Sequence, residues 1–233
     1  MPGNKGLGNC LRMIDKIVPD VAAALSGIAD GSTVLLPGFG NGIPEALVQG
    51  LIEQGASDLT LVVNSGGRDT GATADLLATG RVRRLICSYV RPDSVAGRLF
   101  AAGRLELELV PQGTLAERIR AAGAGIEAFY TPTGADTLLA EGRETRIINN
   151  RNCLLEYPLI GDVALIDAWQ ADRWGNLTHR ESARNYNPVM AMAAKLTVVQ
   201  TRHIVPLGAI PPENVHTPSV FVHRVVHIPA EAA

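Results

Sequence analysis

Apolar residues along this chain come in short runs, each closed by a turn signal and most followed by a stretch of helical spacing. Val34, Leu35 and Leu36 form one such run and predict a buried strand. Pro37 to Pro44 then packs three glycines into eight residues. Leu47, Val48, Leu51 and Ile52 recur at helical spacing, with Glu45, Gln49 and Glu53 on the opposite side. Pro44 suits the first turn of that helix and Gly55 its stop. Thr33 to Gly55 therefore reads as strand, glycine loop, helix, and the rest of the chain is organised around it.

The same alternation runs on both sides. Pro19 to Ile28 predicts a helix, and Asp30-Gly31 turns the chain into the first strand. Leu59 to Val63 predicts a second strand ending in Asn64-Ser65-Gly66-Gly67, and Thr73 to Thr79 a short helix. Arg84 to Ser88 predicts a third strand and Pro92 to Ala102 another helix. Leu105 to Val110 alternates Leu and Glu, as in a fourth strand with one solvated face. Thr114-Leu115-Ala116-Glu117 reads as a capping box opening a helix to about Ala122. Beyond it, Tyr130 to Thr137 reads as a loop, and Ile147 to Tyr157 as a hairpin turning at Asn149-Asn150. Val163 to Trp169, Thr197 to Gln200 and Val220 to Ile228 read as strands, and Pro188 to Lys195 as a helix. Alternating strands and helices predict an α/β fold with a mostly parallel sheet flanked by helices. Residues 1–12 read as a disordered extension and residues 13–233 as a single domain.

In an open parallel sheet, ligands bind outside the carboxyl ends of the strands. The loops at Gly38–Gly42, Asn64–Gly67 and Gln112–Gly113 all follow strands, so they share that edge. Their backbone N–H groups and the Asn64 and Gln112 amides can serve a phosphate, a carboxylate or a developing oxyanion. The same residues can equally satisfy tight turns. The glycine loop is neither G-x-G-x-x-G, because Ile43 stands at the third glycine position, nor a Walker loop.

Composition narrows the field. With 46% hydrophobic and 19% charged residues, the chain is an ordinary soluble globular protein. A net charge of −2 argues against a nucleic-acid binder. No apolar run approaches the roughly 18 residues of a membrane span. Cys10, Cys87 and Cys153 are widely spaced, which excludes a disulfide framework and fits the cytoplasm. No H-E-x-x-H motif accompanies the five histidines, so no metal is expected. Ser65 lacks the first glycine of a nucleophile elbow. Arg180, Arg184 and Lys195 form a loose basic group, readable as a solvated face or an anion site. No carboxylate stands in a nucleophile's context.

One resemblance joins these segments. Asp30-Gly31-Ser32-Thr33-Val34-Leu35-Leu36-Pro37-Gly38-Phe39-Gly40-Asn41-Gly42-Ile43-Pro44 resembles the N-terminal signature of the A (alpha) subunit of family I coenzyme A transferases, the 3-oxoacid and 3-oxoadipate group. LELELVPQGTLAERIRAAGAGIEAFYTPTG from Leu105, GDVALIDAWQADRWGNLTHRESARNYNP from Gly161 and VHTPSVFVHRVV from Val215 resemble the same family in order. Three details depart from its pattern. Pro37 replaces the first glycine of a pair, the loop after Phe39 is one residue shorter, and Ser65 stands where many relatives carry asparagine.

The resemblance implies a Rossmann-like CoA-transferase fold and ping-pong transfer of CoA from succinyl-CoA to a 3-oxo acid, 3-oxoadipate or acetoacetate. It implies that coenzyme A is a substrate, with no resident cofactor. The nucleophilic glutamate is implied on the B (beta) subunit, in a Ser-Glu-Asn-Gly-like segment that this chain lacks. This chain is then expected to supply the substrate and oxyanion loop: Gly38, Phe39, Gly40, Asn41, Gly42, Asn64, Ser65, Gln112 and Gly113. The beta subunit is the expected partner, in a heterodimer or heterotetramer. One component of a related acyl-CoA hydrolase and a small-effector-binding regulatory protein on a related fold are the competing readings.

Overall fold

The computed structural model describes residues 14–229. The extension expected at residues 1–12 lies outside them. Alternation along the strands builds a three-layer molecule. On β2 (Thr33–Leu36), Val34 and Leu36 enter one hydrophobic cluster while Leu35 enters the other. β3 (Leu59–Val63) repeats the division, with Leu59, Leu61 and Val63 against Val62. Period-two alternation with both faces apolar is what a parallel strand covered on two sides requires.

The first cluster is covered by α1 (Val21–Leu25), α2 (Glu45–Gln54), α3 (Ala72–Ala78) and α4 (Val95–Ala101). The second is covered by α5 (Gln112–Ala124) and α6 (Asn187–Met192). These two helices touch so closely at Gly123 that a Cβ there would stand 2.6 Å from Met192 Cβ. The remaining strands of the main sheet are β1 (Ile17–Val18), β4 (Val82–Cys87), β5 (Glu106–Leu109), β9 (Gly161–Ala171), β10 (Leu177–Thr178), β11 (Ala194–Ile204) and β12 (Arg224–His227). Its order is β1-β12-β11-β9-β2-β3-β4-β5, parallel throughout, with β10 antiparallel on β9. β6 (Phe129–Thr131), β7 (Thr145–Ile148) and β8 (Arg151–Glu156) form a small antiparallel sheet.

From β2 the chain winds outward through β3, β4 and β5, then returns to β9 on β2's other side and winds the opposite way. The loop after β2 therefore lies at the switch point of the sheet, where a crevice opens at the carboxyl edge.

Several expectations shift. The helix expected from Pro19 spans only Val21–Leu25: Asp20 caps its start by accepting the Ala23 N–H at 2.7 Å, a contact worth about 1 kcal/mol, and the backbone leaves the helical region at Ser26 and Gly27. The helix expected from Pro92 starts at Val95 behind a Ser94 cap. No capping box forms at Thr114. α5 already begins at Gln112 behind Pro111, so Thr114 is buried inside its first turn and Glu117 pairs with Arg120. Part of the loop expected from Tyr130 is strand β6. Val220 lies in a 3-10 turn, so the last strand is shorter than expected, while β9 and β11 extend to 11 residues each. The Asn149-Asn150 hairpin is present, both residues taking the positive φ that such a turn needs.

Candidate functional site

Asn64 is the first residue beyond β3, and Gln112 opens α5 beyond β5. Parallel pairing through β4 brings them together at the carboxyl edge. Gln112 Nε2 donates to Asn64 Oδ1 at 2.8 Å. The Tyr186 hydroxyl lies 3.3 Å from the same Oδ1 and 3.4 Å from the Gln112 carbonyl oxygen. Burial pushes the Tyr186 phenol upward in pKa, so it stays a neutral donor. With Oδ1 occupied, the Asn64 amide is oriented, and its Nδ2 is the group left to donate to a ligand.

Two clefts meet at Asn64. One, of about 280 Å³, runs between the glycine loop and the start of α3, with Gly38, Phe39, Gly40, Asn64, Ser65 and Arg68 on its wall. The other is bounded by Phe39, Asn64, Ser65, Ser88, Tyr89 and Gln112. Six of the expected site residues are thus brought together: Gly38, Phe39, Gly40, Asn64, Ser65 and Gln112. Asn41 and Gly42 face a third hollow, with Asp167, Trp169, His179, Arg180 and Arg202. Gly113 borders none of these three; it lies in the first turn of α5 with nothing within 4 Å of where its Cβ would be.

The glycine loop is less open than a bare anion cradle. Asn185 Oδ1 accepts the Gly38 N–H at 3.2 Å, and Asn185 Nδ2 donates to the Asn41 carbonyl at 3.1 Å. Asn187 Nδ2 donates to the Gly42 carbonyl at 3.1 Å, while its Oδ1 accepts the Asp167 N–H at 2.8 Å. Asn41 Nδ2 donates to Ser182 Oγ at 2.9 Å. A Cβ at Gly42 would stand 2.5 Å from the Ala183 carbonyl oxygen, so only glycine lets the loop dock here. Phe39 donates its N–H within the loop, to the Asn41 carbonyl. Among the described residues, the N–H groups of Gly40, Asn41 and Gly42 have no protein partner.

Beneath the loop, Gln200 joins two elements. Its Oε1 accepts from Ala46 and Leu47 N–H, capping α2 where Pro44 offers no side-chain cap, and its Nε2 donates to Asp167 Oδ1 at 2.9 Å. Burial raises the Asp167 pKa. Tyr186, Asn185, Asn187 and Asp167 all lie in the segment from Gly161 whose resemblance the sequence carries, yet spacing alone gave no reason to single them out. The one available signal was two asparagines flanking a tyrosine ahead of Pro188.

The loose basic group does not exist as one. Lys195 pairs with Asp162 at 2.9 Å at the amino ends of β11 and β9. Arg180 lies at the other edge, stacked over Trp169 and paired with Glu181 at 3.3 Å. Among the described residues, no cluster of His, Cys, Asp and Glu could hold a metal ion, and no helix is long and apolar enough to cross a membrane.

Residues 18–227 match the family model for coenzyme A transferase. The chain is 51% identical over 224 residues to the A subunit of 3-oxoadipate CoA-transferase from Pseudomonas putida, covering 95% of this chain and 97% of that protein. It is 50% identical over 209 residues to the A subunit of succinyl-CoA:3-ketoacid coenzyme A transferase from Xanthomonas campestris pv. campestris (strain B100), covering 89% and 86%. Its fold is similar to that of the acyl-CoA transferase YdiF apoenzyme from Escherichia coli O157:H7, with a TM-score of 0.83 at 21% identity. That likeness covers 94% of this chain and 48% of the other, so the chain spans about half the length of YdiF.

Proposed function

This chain belongs to the coenzyme A transferase family, and from that premise we propose that it is the alpha subunit of a heteromeric 3-oxoacid CoA-transferase. It moves CoA from succinyl-CoA to a 3-oxo acid, the relatives' names pointing to 3-oxoadipate or a shorter 3-ketoacid. The nucleophile is a glutamate of the beta subunit. Its carboxylate attacks the thioester carbonyl of the acyl-CoA and expels CoA thiolate, leaving an acyl-glutamyl anhydride. The thiolate then attacks the glutamyl carbonyl, releasing the acid and forming a glutamyl-CoA thioester. The acceptor acid reverses both steps. Coenzyme A is a substrate throughout, and no resident cofactor is required.

Each addition develops an oxyanion, and this chain supplies preorganised donors for it. The observation that carries the reading is the Asn64 amide, held by Gln112 and Tyr186 with Nδ2 left free where two clefts meet. The free N–H of Gly40 lines the first of these clefts. Exposed Phe39 and Tyr89 border it and offer an apolar surface for the beta subunit to cover. Buried free thiols at Cys87 and Cys153 suit the reducing cytoplasm.

The test is co-expression with the beta subunit, followed by assay of CoA transfer from succinyl-CoA to 3-oxoadipate and to acetoacetate. Transfer to either acid supports the proposal. Thioester hydrolysis without transfer points instead to the acyl-CoA hydrolase reading.

A further inference from the structure

The cleft between the glycine loop and α3 has a mostly apolar lining that also carries two charged side chains, Arg68 and Glu45. Ile43, Val63 and Leu77 contribute to its walls, and buried Asn64 lines it too. Its volume of about 280 Å³ is close to the lower end of ligand pockets, roughly 300 Å³ upward, a size that suits a short acyl chain.

Among the described residues, Arg68 is the only cationic side chain lining this cleft. The acid beside it in sequence, Asp69, is turned to α4 and its approach: Arg98 Nη2 donates to Asp69 Oδ1 at 3.2 Å and Arg91 Nη2 to Oδ2 at 3.3 Å. Arg68 itself makes no ion pair among the described residues, and its side chain is exposed. Glu45 borders the cleft from the α2 side, within Coulombic reach of Asp167. Glu45 is the one carboxylate on the lining, so an anion entering the cleft is favoured beside the unneutralised guanidinium and disfavoured beside Glu45.

We propose that Arg68 is a specificity-determining residue, receiving the distal carboxylate of a dicarboxylic acyl chain while the reacting carbonyl lies at Asn64. The inference rests on the CoA-transferase reading and deepens it. Succinyl and 3-oxoadipyl groups carry that second carboxylate; acetoacetyl does not. A planar guanidinium is the natural receptor for it, through two parallel N–H···O bonds.

The test uses the complete two-subunit complex with two acceptors differing only at the far end: 3-oxoadipate, and 3-oxohexanoate, in which a methyl group replaces the distal carboxylate. In ping-pong kinetics, kcat/KM for the acceptor reports its own half-reaction, so the donor does not blur the comparison. A charge-assisted hydrogen bond predicts that Arg68→Gln lowers kcat/KM for 3-oxoadipate about 10- to 100-fold. For 3-oxohexanoate it stays within about twofold, because no bond is lost there. Arg68→Lys recovers part of the loss. Equal losses on both acids, no loss on either, or a wild-type complex that does not discriminate between them overturns the assignment while leaving the transferase reading standing. A wild-type complex that transfers CoA to no 3-oxo acid overturns both.

Discussion

Gln112 Nε2 donates to Asn64 Oδ1 at 2.8 Å although 48 residues separate them in sequence. The contact gives Gln112 a role that its position at a strand end does not specify: it orients the Asn64 amide, and the Tyr186 hydroxyl supports the same oxygen. Gln112→Ala in the assembled enzyme is expected to lower kcat/KM by about 10- to 1000-fold with little change in melting temperature. If Gln112 works through Asn64, the double variant Gln112→Ala/Asn64→Ala is barely worse than Asn64→Ala alone. Additive losses show that Gln112 meets the substrate independently. Unchanged kinetics in the single variant leave it only a place in the turn.

The glycines of the loop divide into two kinds. At Gly40, φ is +91° and nothing lies within 4 Å of where an added methyl group would sit, so alanine meets only backbone strain of about 1 kcal/mol. At Gly42, the methyl group would press on the Ala183 carbonyl oxygen. Gly40→Ala is therefore expected to pair with its partner chain and melt within a few degrees of wild type, yet turn over at least about tenfold more slowly, if ligand approaches the loop closely. Gly42→Ala loses melting temperature first. Full activity in Gly40→Ala assigns the loop a structural role alone.

His179 makes stability depend on pH. Burial pushes its pKa down to about 4 from an ordinary value of 6.5. Nδ1 lies 2.9 Å from the Asp167 carbonyl oxygen, which only accepts, so Nδ1 carries the proton and Nε2 accepts from Thr217 Oγ1 at 3.0 Å. A histidine with a lowered folded pKa binds its proton more readily in the unfolded chain. Its contribution is complete above pH 6.5 and is lost as pH falls towards 4, by about 3 kcal/mol in all. His179→Gln is expected to flatten the melting-temperature profile between those values while lowering stability at pH 7. Parallel wild-type and variant profiles would show that the ring is not held neutral.

The central unit from β2 through the glycine loop to α2 was legible because it is local: three apolar residues, three glycines and one amphipathic face specify it. Parallel order followed from alternation, and with it the shared edge of the loops. What could not be read was pairing across long separations. Asn185 and Asn187 reach back about 145 residues to hold the glycine loop, and Gln200 caps α2 from a strand more than 150 residues away. Tyr186 looked like any aromatic before a proline. Lys195 and Arg180 seemed neighbours by number, but one lies at each end of the sheet. The Thr114 capping box failed because Pro111, with φ preset, starts the helix two residues earlier.

The last prediction concerns what this chain lacks. Transfer through an anhydride needs a carboxylate that can reach the thioester carbon, and donors without a nucleophile stabilise an intermediate that never forms. The carboxylates near the site are engaged or set aside: Asp167 accepts from Gln200 and burial raises its pKa, while Glu45 is exposed in the first turn of α2. The purified chain is therefore expected to show no CoA transfer. Incubating the assembled enzyme with acyl-CoA and reducing with borohydride traps the glutamyl-CoA thioester as an alcohol, which peptide mass spectrometry locates. The modified residue is expected to be a glutamate of the beta subunit, with every carboxylate of this chain unaltered. Reduction mapped to Glu45, or turnover by this chain alone, would place the nucleophile here and overturn the division of labour between the two chains.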